Sequence, residues 1–347
     1  MKRAFSCLLL AFNLGSVSPA WAQTAKPVRI GVLFFDFSNT YLSYMRGGMK
    51  AFERTFGSSV SIDYVDAKNS QVTQNDQIDT LIAKGIDVLA INPVDPNAAG
   101  TMIEKARARN IPIVFFNRAP AKDDILSWDK VWYVGTTPEE SGVIQANLIM
   151  KAWKAMPALD KNKDGKMQYV MLKGTPGHPD AEARTKTVVE TMNRAGFPSE
   201  QLAIQSANFN TGDAKNVMET WLAKYGDQIE MVICNNDAMA LGAVEALRSE
   251  GYFTGKKYIG VVGINALSTV VPLIRDGTIL GSVLSDPNNE GQAILTMAVN
   301  LAKGVDPLTG VKNGKVGTFR DVRMPYFEIT KENVKMAEDA YAKTEVK

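Results

Sequence analysis

Apolar residues come in short runs that alternate with amphipathic stretches of helical period. Residues 28–35 form a run of strand length, followed by a helical pattern over 41–56 and a second strand-like run at 60–65. A helix over 71–84, a strand at 86–91, a helix over 98–109 and a strand at 111–116 come next. The alternation resumes at 167–172 and continues to Val261. Strands that alternate with helices of about ten or more residues build right-handed βαβ units, so the pattern predicts an α/β fold with doubly wound parallel sheets.

The pattern repeats internally. Ile86-Asp87-Val88-Leu89-Ala90-Ile91-Asn92 is echoed by Ile229-Glu230-Met231-Val232-Ile233-Cys234-Asn235. In each half a helix follows, then another strand that ends in asparagine: Asn117 in the first, Asn265 in the second. Parallel sheets bind ligands at the carboxyl ends of their strands. Two similar halves therefore predict two similar lobes with polar strand ends facing each other. By composition, residues 120–132 and 304–314 are the linker candidates.

The N-terminus changes the picture. Lys2 and Arg3 precede an apolar stretch over 7–14, and Ala20-Trp21-Ala22 follows. That order is a secretory signal, with the mature chain expected to start near Gln23. Lys2 and Arg3 leave with it, so 39 basic residues fall to 37 and match the 37 acidic ones. A neutral chain argues against nucleic acid or an anionic membrane as partner. No later apolar run is long enough to span a bilayer. Cys7 is lost with the signal, and Cys234 alone cannot form an internal disulfide, so stability must come from core burial. The full length of 347 residues suffices for two domains.

Two stretches carry candidate chemistry. Asp160-Lys161-Asn162-Lys163-Asp164-Gly165-Lys166-Met167-Gln168 matches the first nine positions of an EF-hand loop. Side-chain oxygens fall at the ligating positions Asp160, Asn162, Asp164 and Gln168, Lys166 needs only its carbonyl, and Gly165 allows the turn. The twelfth position is Met171, which cannot ligate a hard cation, so a remote carboxylate must complete any calcium site. Gly177-His178-Pro179-Asp180-Ala181-Glu182-Ala183-Arg184 holds the chain's single histidine. Asp180 and Arg184 share a helical face, and together with His178 they form a polar set suited to hydroxyl groups. No G-x-S-x-G elbow, H-E-x-x-H, P-loop or dinucleotide fingerprint is present.

Taken together these segments resemble the periplasmic galactose/glucose-binding proteins, from about Val28 to the C-terminal helix. The matching stretches are Asn75-Asp76-Gln77-Ile78-Asp79, residues 90–100, 114–117, the 160–168 loop, 173–184 and 235–247. The resemblance implies a periplasmic, monomeric receptor of an ABC sugar importer, not an enzyme. It would close two lobes, joined by a three-stranded hinge, on a monosaccharide. The first lobe would be 28–136 plus 287–321, the second 138–285 plus 322–343. Glu230 would supply the missing ligand of a structural Ca2+ site. Partners would be an inner-membrane permease and, through the face around Gly100, a chemoreceptor.

The resemblance also implies the ligand contacts. Tyr41 and Phe209 match two aromatic rings that sandwich the sugar, and Asn117, His178, Asp180, Arg184 and Asn236 match polar contacts. Asn39 and Asn265 each stand where the family has aspartate, and Ser285 where it has asparagine. Two charged acceptors thus become neutral amides that can also donate. This opens the ligand beyond galactose and glucose. A sugar-acting enzyme, or a binder of another small polar ligand, is the alternative on the same fold. The effector domain of a repressor also shares this fold, but a signal peptide occupies the place of its DNA-binding helices.

Overall fold

The computed structural model describes residues 26–255 and 257–344. The predicted signal segment, 1–22, lies outside these residues. The first half alternates β1 (Val28–Phe34), α1 (Thr40–Glu53), β2 (Val60–Asp66), α2 (Gln71–Ala83), β3 (Val88–Ile91), α3 (Ala99–Arg107), β4 (Ile113–Phe116), α4 (Lys122–Leu126) and β5 (Val131–Thr136). The second half runs α5 (Pro138–Ala155), β6 (Met167–Lys173), α6 (Pro179–Arg194), β7 (Ser199–Ser206), α7 (Thr211–Tyr225), β8 (Met231–Cys234), α8 (Asp237–Ser249), β9 (Gly260–Val262), α9 (Val271–Arg275) and β10 (Ser282–Ser285). The chain then returns through α10 (Pro287–Ala302), β11 (Lys315–Val316), β12 (Asp321–Met324), β13 (Tyr326–Ile329) and α11 (Val334–Ala342).

Two sheets result. The first has the order β11-β12-β5-β4-β3-β1-β2. The second has the order β7-β6-β8-β9, all parallel. Single bridges from Val262 to Gly281 and from Asn265 to Leu284 carry it on to β10, which pairs antiparallel with β13. Helices cover both faces of each sheet, which is why the strands read as nearly unbroken apolar runs. In β6, Met167, Tyr169 and Met171 face α5 and α6, while Val170 and Leu172 face the α7–α8 side. Each such fully buried side chain contributes about 1.5–3 kcal/mol. None of the described helices is long and apolar enough to cross a membrane.

The chain crosses between the sheets after β5, after β10 and after β12. A proline stands at each crossing: Pro138, Pro287 and Pro325. Its fixed φ presets the chain direction there. These joins are short, so the linker candidates 120–132 and 304–314 are not the crossings. The first of them instead holds α4 and the start of β5, and the second is a surface loop after α10. The third crossing also comes later than the expected 321/322 boundary. β12 pairs with β5 up to Met324, so the second lobe resumes at Tyr326. The helix expected over 41–56 ends earlier, at Glu53, and a 3-10 turn follows in which Gly57 takes φ +56°.

Candidate ligand-binding cleft

The carboxyl ends of the central strands of both sheets open onto one cleft, and the helices that follow them begin there. Asn39 caps α1, its Oδ1 accepting from the Leu42 amide at 3.1 Å. Asn236 caps α8 through the Met239 amide at 3.0 Å. His178 caps α6, its Nδ1 accepting from the Asp180 amide at 3.1 Å. Capping spends one acceptor of each side chain and leaves the asparagine NH2 groups and the His178 Nε2–H as donors. Burial pulls the His178 pKa down to about 4, with Arg118 and Arg184 adding to it and Asp180 opposing. The imidazole is therefore neutral at physiological pH.

The cleft floor is a buried polar network. Arg184 donates through Nη2 to Asp180 Oδ2 at 2.7 Å and to the Tyr326 hydroxyl at 3.1 Å, and through Nη1 to the Asn235 carbonyl. Asp180 and Arg184 are 7% and 5% exposed, so this is a desolvated ion pair. Tyr41 is buried in the wall, and its hydroxyl donates to Glu290 Oε2 at 2.8 Å and lies 2.9 Å from Ser285 Oγ. Burial, with Asp180 and Asp286 adding to it, pushes the Glu290 pKa up to about 8 despite the Tyr41 hydrogen bond and Arg184. Phe209 takes φ +58°, and its ring meets His178 edge-on at 5.2 Å. The ring lies against Gly174, where an added Cβ would stand 2.1 Å from its Cζ.

Asn39, Tyr41, Asn117, His178, Asp180, Arg184, Phe209, Asn236, Asn265 and Ser285 all line this one cavity, which holds about 510 Å3 of empty space, part of it open to solvent. A profile of the periplasmic binding protein domain matches residues 30–306. The chain belongs to the periplasmic binding protein family. This periplasmic binding protein is 43% identical to the D-galactose/methyl-galactoside binding periplasmic protein of Haemophilus influenzae, over 95% of its own length and 96% of that chain. It is 28% identical to a xylitol-binding protein of Mycolicibacterium smegmatis, over 91% and 81% of the two chains. Among solved structures, an ABC transporter solute binding protein of Bacillus halodurans with bound myo-inositol superposes with a TM-score of 0.75 at 25% identity, over 91% and 99%.

Sequence reasoning missed several lining residues: Arg118, Glu290, Thr136, Tyr326, Phe35 and Leu42. Arg118 directly follows Asn117 at the end of β4, and that adjacency was the available signal. Its guanidinium carbon sits 3.6 Å from the Phe35 ring centroid, and Nη1 donates to the Val94 carbonyl at 2.6 Å. Glu290 and Tyr326 enter only because the chain crosses back between the lobes.

The 160–168 loop folds around its own oxygens. The Asp160 Oδ2 accepts from the Gly165 amide at 3.0 Å, and the Gln168 Nε2 donates to Asp164 Oδ2 at 2.8 Å. Glu230 reaches in from beside β8, accepting from the Lys161 and Gln168 amides at 2.7 and 3.0 Å. Burial, with Asp160 adding to it, holds the Glu230 pKa above its ordinary value despite these amides. Among the described residues no cluster of three or more His, Cys, Asp or Glu side chains is close enough to hold a metal. The Asp160 Oδ1 is nevertheless buried with no hydrogen-bond partner, and a hard cation is a partner its chemistry fits.

Proposed function

We propose that the protein is the sugar-binding component of an ABC importer and works in the periplasm after export through its 1–22 segment. The observation that carries this is the single cavity fed by both lobes. Asn39, Tyr41 and Asn117 come from the first lobe, and His178, Asp180, Arg184, Phe209, Asn236 and Asn265 from the second. An aromatic ring beside convergent donors and acceptors suits a pyranose, whose C–H face is apolar and whose rim is hydroxyl. Closure of the lobes about the three crossings lets both halves contact one small solute. The relatives support the ligand class, since galactosides, xylitol and myo-inositol are all small polyols.

The protein does not act as an enzyme in this reading. His178 has its Nδ1 engaged in a helix cap and Asp180 is held by Arg184, so neither is set up as a free acid or base. A single Ca2+, held by Asp160, Asn162, Asp164, the Lys166 carbonyl, Gln168 and Glu230, would tie the loop to the start of β8. An inner-membrane permease receives the closed form, and the surface at Gly100 is offered to a chemoreceptor. The monomer suffices for these tasks. Calorimetry against a monosaccharide panel tests the core of the proposal, with product analysis of each mixture to detect turnover. If no sugar binds, or a bound sugar is consumed, the reading fails.

A further inference from the structure

The cavity holds four ionisable groups other than histidine and tyrosine: Arg118, Asp180, Arg184 and Glu290. Asp180 and Arg184 cancel each other in their 2.7 Å pair. Glu290 is 1% exposed, makes no ion pair among the described residues, and has its Oε1 buried without a partner. A carboxyl so placed stays protonated, because burial penalises its charged form. Arg118 is 8% exposed, makes no ion pair among the described residues, and its Nε is buried without a hydrogen-bond partner. Burial pulls the Arg118 pKa down only to about 10, so it remains a cation, with Asp180, Asp36 and Asp95 acting on it from beyond ion-pair distance. One positive charge in the cavity wall therefore has no carboxylate in direct contact with it.

Other features point the same way. The N-termini of α1, α6 and α8, of 14, 16 and 13 residues, converge on the cleft, and helix N-termini favour negative charge. The side chains that could have supplied further acceptor charge, Asn39 and Asn265, are amides. Resting on the reading of the cleft as a sugar site, we propose that its ligand is a sugar acid, a monosaccharide with one carboxylate that lies against Arg118. The guanidinium is braced on the Phe35 ring with Nη1 taken by the Val94 carbonyl, so Nη2 and the unpartnered Nε are the donors left for a carboxylate. One cation without a direct partner calls for a monoanion, which favours a carboxylate over a phosphate dianion.

The test is titration calorimetry of the purified protein at pH 7 with D-galacturonate, D-glucuronate and D-gluconate. D-galactose, D-glucose and D-galactose 6-phosphate serve as the comparison. At least one acid is expected to bind about tenfold or more tightly than its neutral parent, as a charge-assisted hydrogen bond requires. That ratio should collapse toward one in Arg118→Gln and persist in Arg118→Lys. Neutral parents that bind as tightly as their acids would overturn the charge argument and leave the sugar-site reading standing. Tighter binding of the sugar phosphate would overturn the monoanion assignment. A ratio unchanged in Arg118→Gln would overturn the role of Arg118, and binding of no member of the panel would overturn both readings. The wild-type ratio decides the matter even if a variant fails to fold.

Discussion

Replacing Glu290 with glutamine is expected to stabilise the protein in alkali and to leave it nearly unchanged in acid. The folded protein keeps the Glu290 proton up to about pH 8, whereas the unfolded chain releases it near the ordinary 4.5. Between those values the folded state holds more protons, so raising the pH favours unfolding. The stability from this group is complete below the unfolded value and is lost as pH rises through the folded one. At about 1.4 kcal/mol per unit, the window is worth about 5 kcal/mol. The groups around Glu290 are Tyr41, Asp180, Asp286 and Arg184, and all remain in the variant. The amide of the variant cannot ionise, yet its oxygen still accepts from Tyr41. Asp237, which burial raises to about 6, titrates in both proteins and cancels in the difference. With an unfolding entropy of about 2.1 cal/mol/K per residue, 5 kcal/mol shifts the melting temperature of a chain this size by about 7 °C. Scanning calorimetry of both proteins from pH 4.5 to 9 should show a gap that opens with pH and levels above about pH 8. Parallel curves would show that Glu290 is ionised in the folded protein, and the charge balance drawn for the cleft would fall with it.

Asp180→Ala removes the partner of Arg184 and an acceptor for sugar hydroxyls in a desolvated site, and affinity for a neutral sugar should fall by about 1.5–3 kcal/mol or more by calorimetry. Gly174→Ala places a Cβ 2.1 Å from the Phe209 Cζ. The ring must swing aside, so binding should weaken about tenfold or more while the melting temperature moves by only a few degrees. Excess chelator should lower the melting temperature of calcium-loaded protein by mass action, and no shift would remove calcium from the account. Asn39→Asp with Asn265→Asp should move preference toward neutral hexoses, because two carboxylates reverse the charge of the cleft. The helix cap survives, since aspartate caps as well as asparagine. A sugar panel on the double variant checks it.

Much of the fold was legible because both faces of each sheet are covered. Most core strands then read as apolar runs, and most helices between strands show an apolar stripe. The errors have local causes. Residues 86–91 read as one strand, yet the ladder with β1 and β4 includes only Val88–Ile91. Asp87 instead uses its carboxylate to accept from the Arg29 amide, at 2.8 Å, just ahead of that ladder. The linker candidates 120–132 and 304–314 miss the crossings because composition marks exposed, flexible linkers, whereas these joins are short and stiffened by proline. Their residues belong to elements on either side, and only the pairing of β12 with β5 and of β13 with β10 shows where one lobe ends.

The cleft divides in the same way. Residues at strand ends and helix caps, such as Asn117, His178 and Asn236, announce themselves because local geometry needs a polar residue there. Glu290 gives no such sign. It sits in the first turn of α10, where an acidic residue is an ordinary complement to the helix dipole. What makes it part of the cleft is Tyr41, 249 residues away in sequence, whose hydroxyl meets it only when α1 and α10 pack side by side. Arg118 is similar: read alone it is a surface cation after a strand, and only Phe35 beneath it and the Val94 carbonyl beside it hold it at the cavity. Charge in a binding site is a sum over all groups that reach it: Glu290, held protonated, adds none, and omitting Arg118 removes the one cation that no direct partner balances. Asp180 and Arg184 alone would suit a neutral sugar; under the proposal above, Arg118 left over shifts that preference toward an acid.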